Sequence, residues 1–514
     1  MEFAGRRIAE GSAWLSAGQL ASTAIAFAGS IVIARLLTPS EYGLIGVALA
    51  FPMLVLGLLD FGISEAIVRF TPLDKGKGYI STAFLFKIVS AITTSLLVFT
   101  LSDYVAIALN RPYVASMIRI LSIYVLCEII ASAVVKILIG AGEYHKAILL
   151  SLVRNSVRIT TSILLITLGL GVYGSIWGFS VASASALVIS LILVSKYLRD
   201  VKFNVKLLGE IVKFSLPLYM SVVLGLPLNQ VISIFLARHA TNVELGNYSI
   251  ASNLLIPLSI TGGAMAMSIY STLPLLLGKE DKLREVIYKS TIYTSIVVLP
   301  IAMGLIVFSK PLVYIIYGPQ YSLAPAYLSL LALTGLTAVL GSYVIEPYLK
   351  SVGETTKVMK ISLVNYLVYV SLVLLLIPAY KVIGLIVASI IAEFFSTLYG
   401  LYIIRKDFGL EIVGRRNIAI LGALSLPAIT TWLTNFLPLS SIIIKYILGA
   451  IVYLFALILI LSITIQRHEL LELVEMSRNA KLLSLIVPKS LLTILVLSNY
   501  LSYVKNRFSA NKHS

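Results

Sequence analysis

Long apolar runs follow one another along this chain, and most reach the ~20 residues that an α-helix needs to cross a bilayer. They fall near residues 11–33, 43–68, 79–100, 113–137, 146–168 and 172–195. A second set lies near 214–236, 245–275, 287–309, 325–349, 358–377 and 382–404, and two more near 418–435 and 441–465. The runs are continuous rather than alternating over roughly 10 residues, so they read as helices and not as barrel strands. A soluble domain is about 25% charged. This chain is 12% charged and 59% hydrophobic, with a mean hydropathy of +0.98. The expected fold is an all-α polytopic membrane protein of about 14 transmembrane helices.

The net charge of +17 would suggest nucleic acid in a soluble protein. Here its placement points to the positive-inside rule instead. With the N-terminus inside, the inner loops carry Arg69, Lys75 and Lys77; Lys136 and Lys146; Lys196, Arg199, Lys202, Lys206 and Lys213; and the basic groups around 279–289, 350–360 and 405–416. The outer loops carry about one each: Arg35, Arg111, Arg238, Lys310 and Lys381. Both termini are therefore expected in the cytoplasm. The lone Cys127 excludes an internal disulfide. The first run ends in Arg35 rather than at small residues, so no cleavable leader is expected.

The polar break ARLLTPSEYG (34–43) recurs as ARHATNVELG (237–246) at an offset of 203. GEYHK (142–146) recurs as GETTK (353–357), and GVYG (171–174) as KVIG (381–384). Repeated punctuation in the same order indicates two similar halves. An even number of spans in each makes them parallel repeats. The expected divisions are a six-helix lobe 1–195, a cytoplasmic basic linker 196–213, a six-helix lobe 214–404, two additional helices within 405–465, and a cytoplasmic or interfacial tail 466–514. Residues 482–501 read as an interfacial helix rather than a fifteenth span.

Charges inside spans are expensive and mark cavities or partners. Lys87 lies roughly 12 Å into the third span, and Arg154 and Arg158 roughly 12 and 18 Å into the fifth. The i,i+4 spacing of the two arginines puts them on one helix face. Their forked guanidinium groups suit phosphate, so these three cations are candidate phosphate ligands. The competing reading has Lys87 snorkelling and the arginines paired with Asp60 or Glu128. Asp60 and Glu393, both within spans, are candidate carboxylates for a coupled proton or sodium ion. Arg35, at the rim, is a further candidate on the exit side.

Other patterns carry no chemistry. Gly169, Gly171 and Gly174 fit a dinucleotide-binding string but follow no strand. No P-loop occurs. The four histidines are scattered, so neither a metal site nor a cofactor is expected.

Ala34, Arg35, Leu37, Pro39, Tyr42 and Gly43, followed by Asp60, Gly62, Ala66, Val68 and Arg69, resemble the opening of Wzx-type polysaccharide flippases. These belong to the multidrug/oligosaccharidyl-lipid/polysaccharide exporter superfamily. The resemblance implies two six-helix lobes around a central cavity, resident in the cell membrane. It implies flipping, by alternating access, of a polyprenyl- or dolichyl-(pyro)phosphate-linked oligosaccharide to the outer leaflet, without enzymatic chemistry. Its expected partners are that lipid-linked oligosaccharide, membrane lipids, H+ or Na+, and glycan-assembly enzymes. Two alternatives are an ion-coupled multidrug exporter of the same superfamily and a membrane glycan polymerase or ligase. The first calls for an acidic, aromatic-lined cavity, and the second for a long outer loop that this chain lacks.

Overall fold

The computed structural model describes residues 2–74, 78–197, 203–223, 226–276, 278–433 and 442–464. The tail 466–514, with the expected interfacial helix 482–501, lies outside them, as do Lys75, Lys77, Arg199 and Lys202 of the basic loops. Every regular element among the described residues is helical. The chain forms two compact units. One holds residues 1–250, 314–323 and 377–382, and the other 251–313, 324–376 and 383–514.

The first unit is built from α1 (Glu2–Leu36), α2 (Pro39–Leu58), α3 (Ile63–Phe70), α4 (Tyr79–Ala108), α5 (Val114–Ala141), α6 (Tyr144–Leu165), α7 (Gly171–Val194), α8 (Val205–Val223), α9 (Leu226–His239) and most of α10 (Asn242–Leu254). Pro39 opens α2, where a missing N–H costs nothing, and Thr38 and Glu41 close a capping box there. α6 and α7 form a hairpin, broken at Gly169 and Gly171, both at positive φ. Lipid is as apolar as leucine, so helices associate through close packing and polar contacts rather than burial alone. Gly178 accordingly sits against Ser162 and the Arg158 carbonyl, and Gly174 against Leu165 and Ile166. Ser180 Oγ donates to the Ile120 carbonyl at 3.0 Å, and Ser95 Oγ to that of Ser122 at 2.8 Å.

The apolar run 43–68 reads as one helix in the sequence, but it is two. α2 stops at Leu58, and Phe61 and Gly62 take left-handed conformations, with φ of 50° and 69°. The carbonyls freed at this break accept from Tyr219 Oη, at Leu58, and from Ser90 Oγ, at Leu59. Gly62 also needs its missing side chain: a Cβ there would lie 2.7 Å from the Ser215 carbonyl on α8.

The second unit comprises α11 (Ile256–Thr272), α12 (Glu280–Val307), α13 (Ser309–Ile316, whose last turn joins the first unit), α14 (Ala324–Ala332), a 3-10 segment Leu333–Leu340, α15 (Ser342–Ser351), α16 (Thr355–Phe408), α17 (Arg415–Leu433) and α18 (Ile442–Thr464). Leu273, Ile287, Leu349 and Ile404 pack in one core cluster, and Ile292, Leu299, Ile420 and Leu424 in another. α16 turns back on itself at Lys381, φ 51°. Among the described residues eight helices are long and apolar enough to cross a membrane, or ten if each of two bent pairs counts as one span. Two of the eight are the 54-residue stretches Tyr144–Tyr197 and Thr355–Phe408. Their breaks fall where the sequence places outer turns.

Candidate functional site

The break between α2 and α3 positions the first charged group. Asp60 sits in it and accepts from Ser64 Oγ at 2.6 Å and from Lys87 Nζ on α4. Lys87 is only 2% exposed. Two residues expected in different roles, phosphate ligand and ion-coupling carboxylate, are thus one partly buried ion pair. Nearby, Lys136 on α5 pairs with Glu65 on α3 at 2.6 Å.

A second cluster lies on α6. Arg154 donates to Glu128 on α5, whose other oxygen accepts from Ser183 Oγ at 3.0 Å. Four residues on, Arg158 lays its guanidinium 4.9 Å from the Phe179 ring centre. Among the described residues it has neither a carboxylate partner nor a hydrogen-bond acceptor. The structure therefore brings Arg154 and Arg158 together on one helix, and places Lys87 apart from them with Asp60. An aromatic platform on one face of a guanidinium leaves its N–H edge free to grip a planar or tetrahedral oxyanion.

Arg35 lies at the repeated hairpin. Its Nε donates to the Ile316 carbonyl at 2.8 Å and its second terminal nitrogen to that of Ile315. These are end carbonyls of α13, so a cation is favourable there. Its counterpart in the repeat, Arg238, is exposed.

In the second unit, Glu393 on α16 lines two adjoining cavities of about 210 and 350 Å³, together with Ser342 and Asn365. Glu346, Ser362 and Ser396 line the first, and Tyr343 and Tyr369 the second. Asn365 Nδ2 reaches Glu393 at 3.5 Å and Ser396 Oγ at 3.1 Å. No cation pairs with Glu393 among the described residues, and Glu346 is paired with Lys350 at 2.9 Å. The arrangement is a polar, uncompensated carboxylate that can take a proton or a small cation. Among the described residues no three His, Cys, Asp or Glu gather as metal ligands.

Residues 32–326, more than half of the chain, match the family model described as polysaccharide biosynthesis protein. The chain belongs to that family. The chain is 23% identical over 325 residues to the succinoglycan biosynthesis transport protein ExoT of Rhizobium meliloti (strain 1021). That match covers 63% of this chain and 65% of the relative, just under two thirds of its length. It is 21% identical to the lipopolysaccharide biosynthesis protein WzxC of Escherichia coli (strain K12), over 86% of this chain and 87% of that one. Its fold is similar to that of the lipid II flippase MurJ in an inward closed conformation. The TM-score is 0.70 at 16% identity, over 86% of this chain and 97% of that chain. The inward-facing conformation of a multidrug resistance MATE family transporter of the MOP superfamily is similar in fold at a TM-score of 0.61 and 16% identity, over 76% of this chain and 94% of that one. The likeness to Wzx-type flippases carried by the opening motifs is borne out.

Sequence reasoning missed three features of this family member. The break at Asp60–Gly62 carries no periodicity signal, although Asp-Phe-Gly in an apolar run is its trace. The polar setting of Glu393 depends on α15, some fifty residues away in the chain. Arg111 showed only as the basic residue of an outer turn, yet it is 9% exposed and donates four hydrogen bonds.

Proposed function

We propose that this protein flips a polyprenyl- or dolichyl-(pyro)phosphate-linked oligosaccharide from the cytoplasmic to the outer leaflet of the cell membrane. It does so by alternating access, with both termini cytoplasmic. The observation that carries the reading is Arg158, a guanidinium inside a helical membrane unit with one face on Phe179 and no carboxylate partner among the described residues. An unpaired cation at that depth is costly, and a phosphate is the ligand that its fork fits best. Arg154, one turn away, joins it by exchanging Glu128 for substrate, and Lys87 by exchanging Asp60. Arg35 meets the headgroup on the exit side, once its carbonyl partners let go.

Glu393 is the coupling carboxylate, binding H+ or Na+ in its polar cavity, and Asp60 is the second candidate, masked in this state by Lys87. No bond in the substrate is made or broken, so the protein acts as a transporter and not an enzyme. The enzymes that assemble the lipid-linked glycan are its natural neighbours.

The test is flipping of a fluorescent polyprenyl-pyrophosphate oligosaccharide in proteoliposomes. Arg154→Gln with Arg158→Gln is expected to cut flipping at least ~100-fold, since charge-assisted bonds to phosphate are worth about 1.5–3 kcal/mol each. Arg154→Gln leaves Glu128 with Ser183 and should lower melting, whereas Arg158→Gln breaks no ion pair and alone should leave melting near that of the parent. Transport that survives in the folded double variant overturns the phosphate role, and a parent protein that flips no lipid-linked glycan overturns the function.

A further inference from the structure

The two copies of the repeated hairpin lie against each other, and each is held by a turn from the opposite half. Gly43 and Gly246, equivalent at the offset of 203, make the contact. A Cβ on Gly43 would lie 2.0 Å from the Asn242 carbonyl, and one on Gly246 would lie 2.0 Å from the Pro39 carbonyl. Pro39 and Asn242 are themselves equivalent, so the contact is reciprocal. Both hairpins carry the same cap. Thr38 and Thr241 donate to Glu41 and Glu244 at 2.8 Å, and their hydroxyls accept from the amides of those glutamates.

The grip is also reciprocal. Ala34 and Ala237 are equivalent, and each lies at the end of a helix with its carbonyl taken by the other half. The Ala34 carbonyl accepts from Tyr321 Oη at 2.8 Å. The Ala237 carbonyl accepts from Arg111, which also donates to the Ala240 carbonyl at 2.6 Å and to Asn242 Oδ1 at 2.7 Å. Tyr321 is fully buried. The 109–113 turn of the first half thus clasps the second hairpin, and the 317–323 turn of the second half clasps the first. Tyr113 Oη, Asn247 and Lys381 add bonds to Asn242, Leu323 and Glu244.

We infer that this double clasp is the outer gate. It holds the outer ends of the two repeats shut, and Arg111 and Tyr321 are the positioning residues that set how often it opens. The inference rests on the proposed alternating-access transport, which requires the hairpins to part on the exit side. The glycine contact has no side chains of its own to hold it, so the closed state depends on donors brought from the distant turns. Opening releases helix-end carbonyls of both repeats together, which makes the gate cooperative.

The experiment uses the full chain in lipid nanodiscs with Cys127→Ser, and spin labels on Leu36→Cys and Val243→Cys, both exposed hairpin positions. The parent should show one short distance. Arg111→Ala with Tyr321→Phe should raise the separated population relative to the closed one at least tenfold, which is about 1.4 kcal/mol. Arg111→Lys should fall between, since one ammonium cannot satisfy three dispersed acceptors. An unchanged distance distribution in the folded double variant overturns the gate. If that variant does not fold, the single variants decide by the same criterion. Flipping by the parent without any separation on loosening defeats the gate alone. Separation in a parent that flips no lipid-linked glycan defeats the transport reading and leaves the clasp standing.

Discussion

The interiors of the two units balance charge in opposite ways. In the first, Lys87 meets Asp60 and Arg154 meets Glu128, while Arg158 has neither a carboxylate nor a hydrogen-bond acceptor among the described residues. In the second, Glu393 has no cation partner among the described residues and is set among serines and an asparagine. A buried pair roughly offsets its desolvation cost, whereas a lone buried charge does not. On the proposed transport reading, the first unit takes an anion and the second a proton or small cation.

The largest expected effect comes from spoiling a balanced pair. Lys87→Met strands Asp60, with only Ser64 left to it. The loss should be about 2–3 kcal/mol, below the ~3–5 of a fully buried pair, because Asp60 is 32% exposed. Adding Asp60→Asn should restore most of that stability, since the two residues couple directly. Thermal melting in nanodiscs reads both. A Lys87→Met protein as stable as its parent breaks the claim that the first unit needs its pairs.

The opposite result is expected at the unbalanced site. Glu393→Gln removes a charge that has no partner, so melting should hold or rise. The acceleration of flipping by an imposed ion gradient should fall about tenfold, in line with a coupling free energy near 1.4 kcal/mol. Full gradient dependence in Glu393→Gln would move the coupling role to Asp60.

Much of this was legible in the chain, and what escaped did so for physical reasons. Turns announce themselves through local chemistry. Gly142 and Gly353, both at positive φ, end helices where the repeated Gly-Glu stands. The breaks at Gly169–Gly171 and Lys381 fall at the outer turns expected from GVYG and KVIG. Arg154 found Glu128, one of the two partners that depth alone suggested. Lys87 with Asp60 was harder, because the reach depends on a helix break that an apolar run conceals. The clasp was out of range altogether. Arg111 and Ala237 are 126 residues apart, and Tyr321 and Ala34 are 287 apart. Backbone carbonyls at helix ends carry no side-chain signature, so only the repeated hairpin itself was visible.

The smallest effect is expected where charges are paired near water rather than inside the units. Glu143, in the turn between α5 and α6, pairs with Lys196 and, at 3.1 Å, with Lys146. Burial pushes its carboxyl up, but the ammonium groups of Lys196 and Lys146 outweigh that and hold it below its ordinary 4.5. A carboxyl lowered in the folded state stabilises above its ordinary value, and that stability is lost as pH falls through the lowered one. Melting should therefore drop on acidification from about pH 6 to below the ordinary carboxylate range. Glu143→Gln should flatten only that part of the profile, by less than about 1 kcal/mol, the usual worth of a solvated pair. Added salt should shrink it further while leaving the cost of Lys87→Met nearly intact. A salt response as large at Lys87 as at Glu143 would mean that water reaches the inner pair, and the contrast between matched and unmatched interiors would lose its physical basis.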